Sequence, residues 1–423
     1  MPPASTLEPQ SRQRAHGQRM ALAVFAYLVL LFYGSLYPFS QWHAPAYPLM
    51  QFLPLWPDHL DKGDVLQNVL VYAPFGMLCT LWLAQSMPVL RAALLAVALG
   101  ALVSFSIETL QQFNSARVAS SVDIVMNTLG SAGGATLATT VLRHTLSGRL
   151  VLAWRDRWFR DGALANTGLV VIGFWMLSQT SPLVPTLDIG HLRHALGGLW
   201  RALHDPHPID LARLARYTLM TAGIGLMLML LARPGRAALR LLAAMLAAVL
   251  LAKIIVVSRV LSLEAIGGSM LALAACCAMR LLPARLLPLA GIALVAAGFT
   301  VSELAPVDGG GIGLSFNWIP FAGHMRSITA LENILELLWP FMAIAWFTRW
   351  HAPARLSKPG IAAGAVLVGA AVFAMEWQQQ WMPGRYGDMT QVLLCVVGWI
   401  MPWCVREDGA ASVAPPSRQP PRG

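Results

Sequence analysis

The sequence predicts an all-α integral membrane protein of about twelve transmembrane helices, built as three four-helix repeats with both termini cytoplasmic. Three observations carry this. Hydrophobic residues make up 57% of the 423 residues and charged residues only 12%, about half the charge a soluble domain carries. Apolar runs near 20 residues recur along the whole chain, the length that crosses about 30 Å of hydrocarbon. Their Leu/Ala/Val-rich composition lacks the period-2 alternation of a membrane barrel, so backbone groups in lipid must be satisfied by helices.

Taken in order, the spans fall at roughly 20–37, 65–86, 90–109, 122–142, 163–181, 214–232, 239–257, 263–280, 286–302, 333–348, 359–376 and 389–405. With the N-terminus inside, 20 of the 30 Lys and Arg fall in cytoplasmic segments, while 15 of the 20 Asp and Glu fall outside or at that interface. This is the positive-inside pattern of a plasma (inner) membrane protein with cytoplasmic ends. The same pattern explains the net charge of +10, so no nucleic-acid partner is expected. The first span is longer than a signal-peptide core and is read as retained. Tails 1–18 and 406–423, rich in Pro, Ser and Arg, are read as disordered. Cys79, Cys276, Cys277, Cys395 and Cys404 lie in apolar segments without ligand spacing, as small hydrophobes rather than a disulfide framework.

Internal similarity divides the rest into units 19–145, 146–282 and 283–405. Glu108, Gln111, Arg117 and Gly130 recur without a gap as Glu376, Gln379, Arg385 and Gly398, each 268 residues on. Gln67-Asn68 with Pro74-Phe75 resembles Glu332-Asn333 with Pro340-Phe341. A fainter middle copy carries Ser258-Arg259-Val260, then Glu264 and Gly267-Gly268, and no clear match to Glu108 or Asn127. Each unit's first helix closes on a similar phrase: Ser35-Leu36-Tyr37-Pro38, Gln179-Thr180-Ser181-Pro182 and Ser302-Glu303-Leu304-Ala305-Pro306.

The polar positions of the first unit are the candidate site. Gln111 and Gln112 follow Glu108 at i+3 and i+4 and share its helix face. After a hairpin carrying Arg117, Asp123, Asn127, Gly130 and Gly134 form one stripe on the next helix. Gly130 and Gly134 have the small-xxx-small spacing that lets membrane helices approach closely. Charges in membrane helices usually pair with one another, so Glu108, Arg117 and Asp123 are read either as an ion-pair network pinning the hairpin or as a site. In the second reading Arg117, Arg259 and Arg385 bind an anionic headgroup, which suits a planar guanidinium. The ligand-binding candidates are Glu108, Gln111, Arg117, Asp123, Asn127, Arg385 and Glu376. The third unit is degenerate, with Gln391 and Cys395 where Asp123 and Asn127 stand and Asp388 as a possible substitute charge. No nucleophile or metal cluster accompanies Glu108, and no Walker or Rossmann frame is present, so neither catalysis nor a cofactor is expected. His191-x-x-His194 and His204-x-x-His207 have spacing that a metal can use, but Arg193 and Arg201 beside them favour a solvated interfacial helix.

At these residues the sequence resembles the VanZ-like family. The resemblance rests on Glu108-x2-Gln111-x5-Arg117-x5-Asp123-x3-Asn127-x2-Gly130-x3-Gly134, with Gln67-Asn68, Pro74-Phe75-Gly76 and Asp61-Lys62 before it. It covers about 20–142 well and 300–405 partially. It implies a cell-envelope protein of about four helices per unit, whose name-giving relative is linked to low-level teicoplanin resistance. The expected function is binding of an anionic membrane lipid or lipid-linked glycan precursor at the outer face. A transporter or flippase, an enzyme acting on a lipid-linked substrate, and a structural partner of envelope proteins are the rivals.

Overall fold

A computed structural model describes residues 7–405 except 38, 40–41, 46–47, 57–61, 144–145, 182–185, 187, 205–208, 258, 307–314, 322–329 and 353–355. The described residues form fourteen α-helices and no strand. A helix occupies each of the twelve expected spans. These are α1 (Leu7–Leu36), α2 (Lys62–Leu83), α3 (Val89–Gln111), α4 (Ser121–Leu142), α6 (Ala163–Thr180), α8 (Leu211–Leu231), α9 (Ala238–Ile255), α10 (Leu263–Met279), α11 (Leu287–Leu304), α12 (Ala330–His351), α13 (Lys358–Gln379) and α14 (Met389–Cys404). Two more, α5 (Leu146–Trp158) and α7 (Ile189–His204), lie in the connections. Among the described residues α2, α3, α6, α8, α9, α11 and α13 are long and apolar enough to cross a membrane. Met20–Leu36, Leu263–Met279 and Met389–Cys404 are shorter apolar helical stretches.

One expectation for the tails changes. Helix α1 begins at Leu7, inside the segment 1–18 expected to be disordered. Its Glu, Gln, Arg and Ala residues are good helix formers, and they extend an apolar helix that is already nucleated. The tail from 406 onward lies outside the described residues.

The chain divides into two compact units, one of Met1–Arg155 with Phe321–Ala330 and one of Asp156–Pro320 with Leu331–Gly423. In the first, α4 packs along α2 and α3, and α1 packs on α2 and α3. The α2–α4 contact is backbone against backbone. A Cβ at Gly130 would strike the main chain of Val69, and one at Gly134 the main chain of Ala73. This is the close approach that the small-residue spacing anticipated. Tyr72, Phe75, Cys79, Ala92, Ala96 and Ile107 form the core beside it.

In the second unit α8 packs on α10 and α11, and α13 on α14. Ile224, Leu226, Met227, Leu231, Trp346 and Phe347 are buried in its core, where the Trp346 indole donates to the Leu164 carbonyl at 2.8 Å. Helix starts follow their caps: Asp210, Ser262, Ser357 and Asp388 each accept an N–H from the first turn, which stabilises a helix start by about 1 kcal/mol. All five cysteines are free thiols.

Candidate functional site

The internally repeated arginine of the first unit has main-chain partners. Helix α1 ends at Leu36 and leaves carbonyls without intrahelical donors. Arg117, in the hairpin between α3 and α4, donates through Nε to the Tyr37 carbonyl at 2.7 Å and through Nη2 to the Gly34 carbonyl at 3.1 Å. Gln111 Nε2 donates to the Ser35 carbonyl at 2.8 Å, and Asn114 Nδ2 to the Leu36 carbonyl at 3.3 Å. Four consecutive carbonyls of the α1 end are thus capped from one hairpin. The Glu108 carboxylate, 2% exposed, accepts the N–H of Ser120 at 2.8 Å, and Ser120 is the residue that opens α4. Glu108 therefore ties the end of α3 to the start of α4.

The same geometry recurs twice in the second unit. Arg259 donates to the carbonyls of Ser181 at 2.6 Å and Ser178 at 3.1 Å, at the end of α6. Arg385 donates to those of Ala305 at 3.1 Å and Ser302 at 2.8 Å, at the end of α11. Glu376 repeats Glu108, accepting the N–H of Asp388 at 2.9 Å, the residue that opens α14. Gln379 repeats Gln111, donating to the Glu303 carbonyl at 3.2 Å and to its carboxylate at 2.9 Å. Asp388 is buried and caps α14 through the Thr390 N–H at 2.7 Å.

Behind the first hairpin lies a cluster of buried polar side chains inside the helices. Asn127 of α4 donates to Ser104 Oγ of α3 at 2.9 Å. Its Oδ1, Tyr72 Oη and Ser131 Oγ are buried without a hydrogen-bond partner among the described residues. Tyr72 faces Ser104 but does not reach hydrogen-bond geometry. Asp123 faces the side chains of Asn68 and Ser120 and the carboxylate of Asp64, which is exposed. Of the candidates named from sequence in the first unit, Glu108, Gln111 and Arg117 bond main chain, Asn127 belongs to this cluster, and Asp123 faces Asn68 and Ser120.

Sequence reasoning missed a second group. Around Tyr217 of α8 the second unit gathers Arg216, Lys253 of α9, Glu303 of α11, and Glu332 and Glu336 of α12. Arg259 forms an ion pair with Glu332 at 2.6 Å, and Arg385 with Glu303 at 3.8 Å. The signal was present as charges set inside apolar helices, above all Lys253 in Leu251-Ala252-Lys253-Ile254-Ile255, and such residues default to a functional reading. Helix α7 carries His191, His194 and His204. The described residues contain no group of three or more His, Cys, Asp or Glu able to hold a metal, and His207 lies outside them.

The fold and these polar helix ends define a helical protein of membrane-spanning character. Residues 19–143 match the family described as VanZ/LLP1, and this part of the chain is VanZ-like. No curated protein and no solved structure matches the chain.

Proposed function

We propose that this is a multi-pass cell-envelope membrane protein that binds the hydroxyl-bearing headgroup of a membrane lipid or lipid-linked glycan precursor in its VanZ-like unit. The observation that carries the reading is the cluster of Tyr72, Ser104, Asn127 and Ser131, which holds three buried polar atoms without partners among the described residues. Buried polar atoms are almost always satisfied, and leaving one unmade costs about 1–3 kcal/mol. A ligand hydroxyl both donates and accepts, and so suits Asn127 Oδ1, Tyr72 Oη and the nearby carboxylates of Asp123 and Asp64. The two carbonyls on Arg117 weigh toward the sugar or polyol part of such a molecule, rather than its phosphate, as the part held here.

The wider architecture belongs to the same proposal: twelve crossing helices in three units, both ends cytoplasmic, in the inner membrane. The three-unit part of it is supported by the arginine bonded to an i, i+3 pair of carbonyls at the end of each unit's first helix. A second reading, a structural partner of envelope proteins, is favoured by Glu108, Gln111 and Arg117 serving main-chain groups. Any link to glycopeptide resistance would follow from the glycan-binding reading.

The test is mass spectrometry of lipids retained by the protein after mild detergent purification, wild type beside Asn127→Leu. A glycolipid or polyol lipid present on wild type and absent from the folded variant supports the binding reading. Identical, bulk-like lipids on both overturn it and leave the structural reading.

A further inference from the structure

Helix α5, between α4 and α6, belongs to none of the hairpins described above. Leu150, Trp154 and Trp158 recur every four residues along it, with Val151 beside them, so they fall on one stripe. Leu150, Val151 and Trp154 are 62%, 64% and 49% exposed. Three large exposed apolar side chains on one side of a short helix mark a surface that meets an apolar partner. By register, Arg149 and Arg155 fall on the two flanks of the stripe. An arginine so placed can lay its stem along an apolar layer while its guanidinium reaches a polar one.

The last turn of α5 fixes where that surface lies. The Arg233 N–H donates to the Trp158 carbonyl at 2.9 Å, and the Arg160 N–H to the Leu231 carbonyl at 2.9 Å. Arg236 Nε donates to the Arg157 carbonyl at 2.9 Å, and its guanidinium lies over the Trp158 ring, 5.6 Å from the centroid. The end of α5 is thus bonded to the connection between α8 and α9, with four residues between it and α6. Helices α6, α8 and α9 are each long and apolar enough to cross a membrane. The place where their ends gather is a membrane surface, and an apolar stripe leading away from it has the bilayer at hand.

Charge says which bilayer surface it fits. Residues 143–161 and 232–240, the two segments joined at this point, contain eight arginines against two acids, Asp156 and Asp161. Asp161 accepts from Arg233 at 2.6 Å. With both carboxylates ionised and His144 neutral, the two segments still carry a charge of +6. A basic amphipathic helix of this kind complements an anionic lipid surface.

We propose that α5 is an in-plane membrane helix that docks on anionic lipid headgroups, with Leu150, Val151 and Trp154 entering the headgroup boundary and the arginines around them holding the phosphates. The planar guanidinium suits a phosphate, and the stripe supplies the apolar contact that charge alone does not. This inference does not rest on the polar cluster of the first unit, which shares none of these residues.

The test uses full-length protein in nanodiscs of phosphatidylcholine alone, or of phosphatidylcholine mixed equally with phosphatidylglycerol, and follows hydrogen–deuterium exchange across α5 by mass spectrometry. Wild type is expected to exchange at least roughly 10-fold more slowly in the anionic discs, since one arginine at an anionic surface is worth about a fivefold preference. Arg143→Gln and Arg149→Gln, both at exposed positions, should each lower the ratio between the two lipids about fivefold. Leu150→Glu puts a carboxylate into the stripe and should bring the ratio close to one. Taking the ratio within each variant removes the effect of the substitution on intrinsic exchange, and an unfolding temperature in detergent equal to wild type shows that the variant is folded. Equal exchange of wild type in both lipids overturns the proposal: fast in both leaves the stripe to a protein partner, and slow in both makes the contact apolar without a choice of headgroup. A wild-type ratio in Leu150→Glu overturns it as well, because the stripe then does not enter the bilayer. Should Leu150→Glu not fold, the two arginine variants decide, and an unchanged ratio in both rejects the docking.

Discussion

The hairpin of the VanZ-like segment and the hairpin around Arg259 have the same frame and opposite chemistry. Each hangs on an arginine that bonds two carbonyls three residues apart at the end of the preceding first helix. In the first, Glu108 and Gln111 precede that arginine and a cluster of buried polar side chains lies behind; in the second, Leu250 and Lys253 take their places, with Lys253 and Arg216 both over the Tyr217 ring. The arginine that holds the hairpin to the preceding helix is therefore kept while the chemistry of the residues around it changes. A helix end must have its carbonyls capped whatever the ligand; the glutamine six positions earlier shares that capping in the first and third units, whereas the middle unit carries Lys253 there and Leu250 three residues before it.

The largest expected effect comes from breaking the shared frame. Arg117→Ala removes two charge-assisted hydrogen bonds, each worth about 1.5–3 kcal/mol, so we expect a loss of roughly 3–6 kcal/mol in detergent unfolding. Arg259→Ala should cost more, because it also leaves Glu332 without its ion partner in a partly buried place. If Arg117→Ala unfolds like wild type, the arginine is not a structural element and the comparison fails at its base. Next in size is helix packing. Gly134→Val drives a side chain into the main chain of Ala73, and Gly268→Val into Tyr217 and the main chain of Thr218. Overpacking of this kind costs about 1–3 kcal/mol. Similar losses at both positions would show one scaffold under two chemistries; a loss at Gly134 alone would separate the two hairpins in packing as well as charge.

How much of this was legible beforehand follows from where the partners sit. Every expected span holds a helix, because apolar length is written in the side chains themselves. The contact at Gly130 and Gly134 was legible for the same reason, since two glycines four apart announce a close approach. The spacing from Glu108 to Arg117 was also visible, but its meaning was not. Arg117 bonds the carbonyls of Gly34 and Tyr37, and a carbonyl is identical at every residue, so no letter in the sequence marks the acceptor. Lys253 was passed over because it stands alone in an apolar run, with no polar residue at helical spacing beside it to mark a motif. Only the fold, which turns Tyr217 and Arg216 toward it, reveals the cluster. The start of α1 at Leu7 was missed because composition alone does not show that a neighbouring apolar helix can extend through a polar tail.

A smaller effect sharpens the contrast directly. Gln111→Lys puts the middle unit's residue into the first hairpin, close to the buried Glu108. The hydrogen bond to the Ser35 carbonyl is lost or strained, but the new ammonium gains a carboxylate neighbour. The net change should stay within about 1 kcal/mol, because a typical intramolecular hydrogen bond contributes about 0.5–1.5 kcal/mol. Thermal unfolding measures it, and a loss several times larger would mean that the neutral donor is required by the frame and not exchangeable.

The smallest expected change in stability is at Asn127. In Asn127→Leu the bond to Ser104 is lost, but so is the buried Oδ1 that has no partner. Replacing a half-satisfied amide by an apolar side chain of similar size removes a desolvation cost along with a hydrogen bond. The two should nearly cancel, leaving the unfolding temperature of delipidated protein close to wild type. Any effect should then appear in lipid-loaded protein, because only the ligand would have used the lost acceptor. A variant equally destabilised with and without lipid would make Asn127 a helix-packing residue, and the first hairpin would differ from the middle one in charge without differing in use.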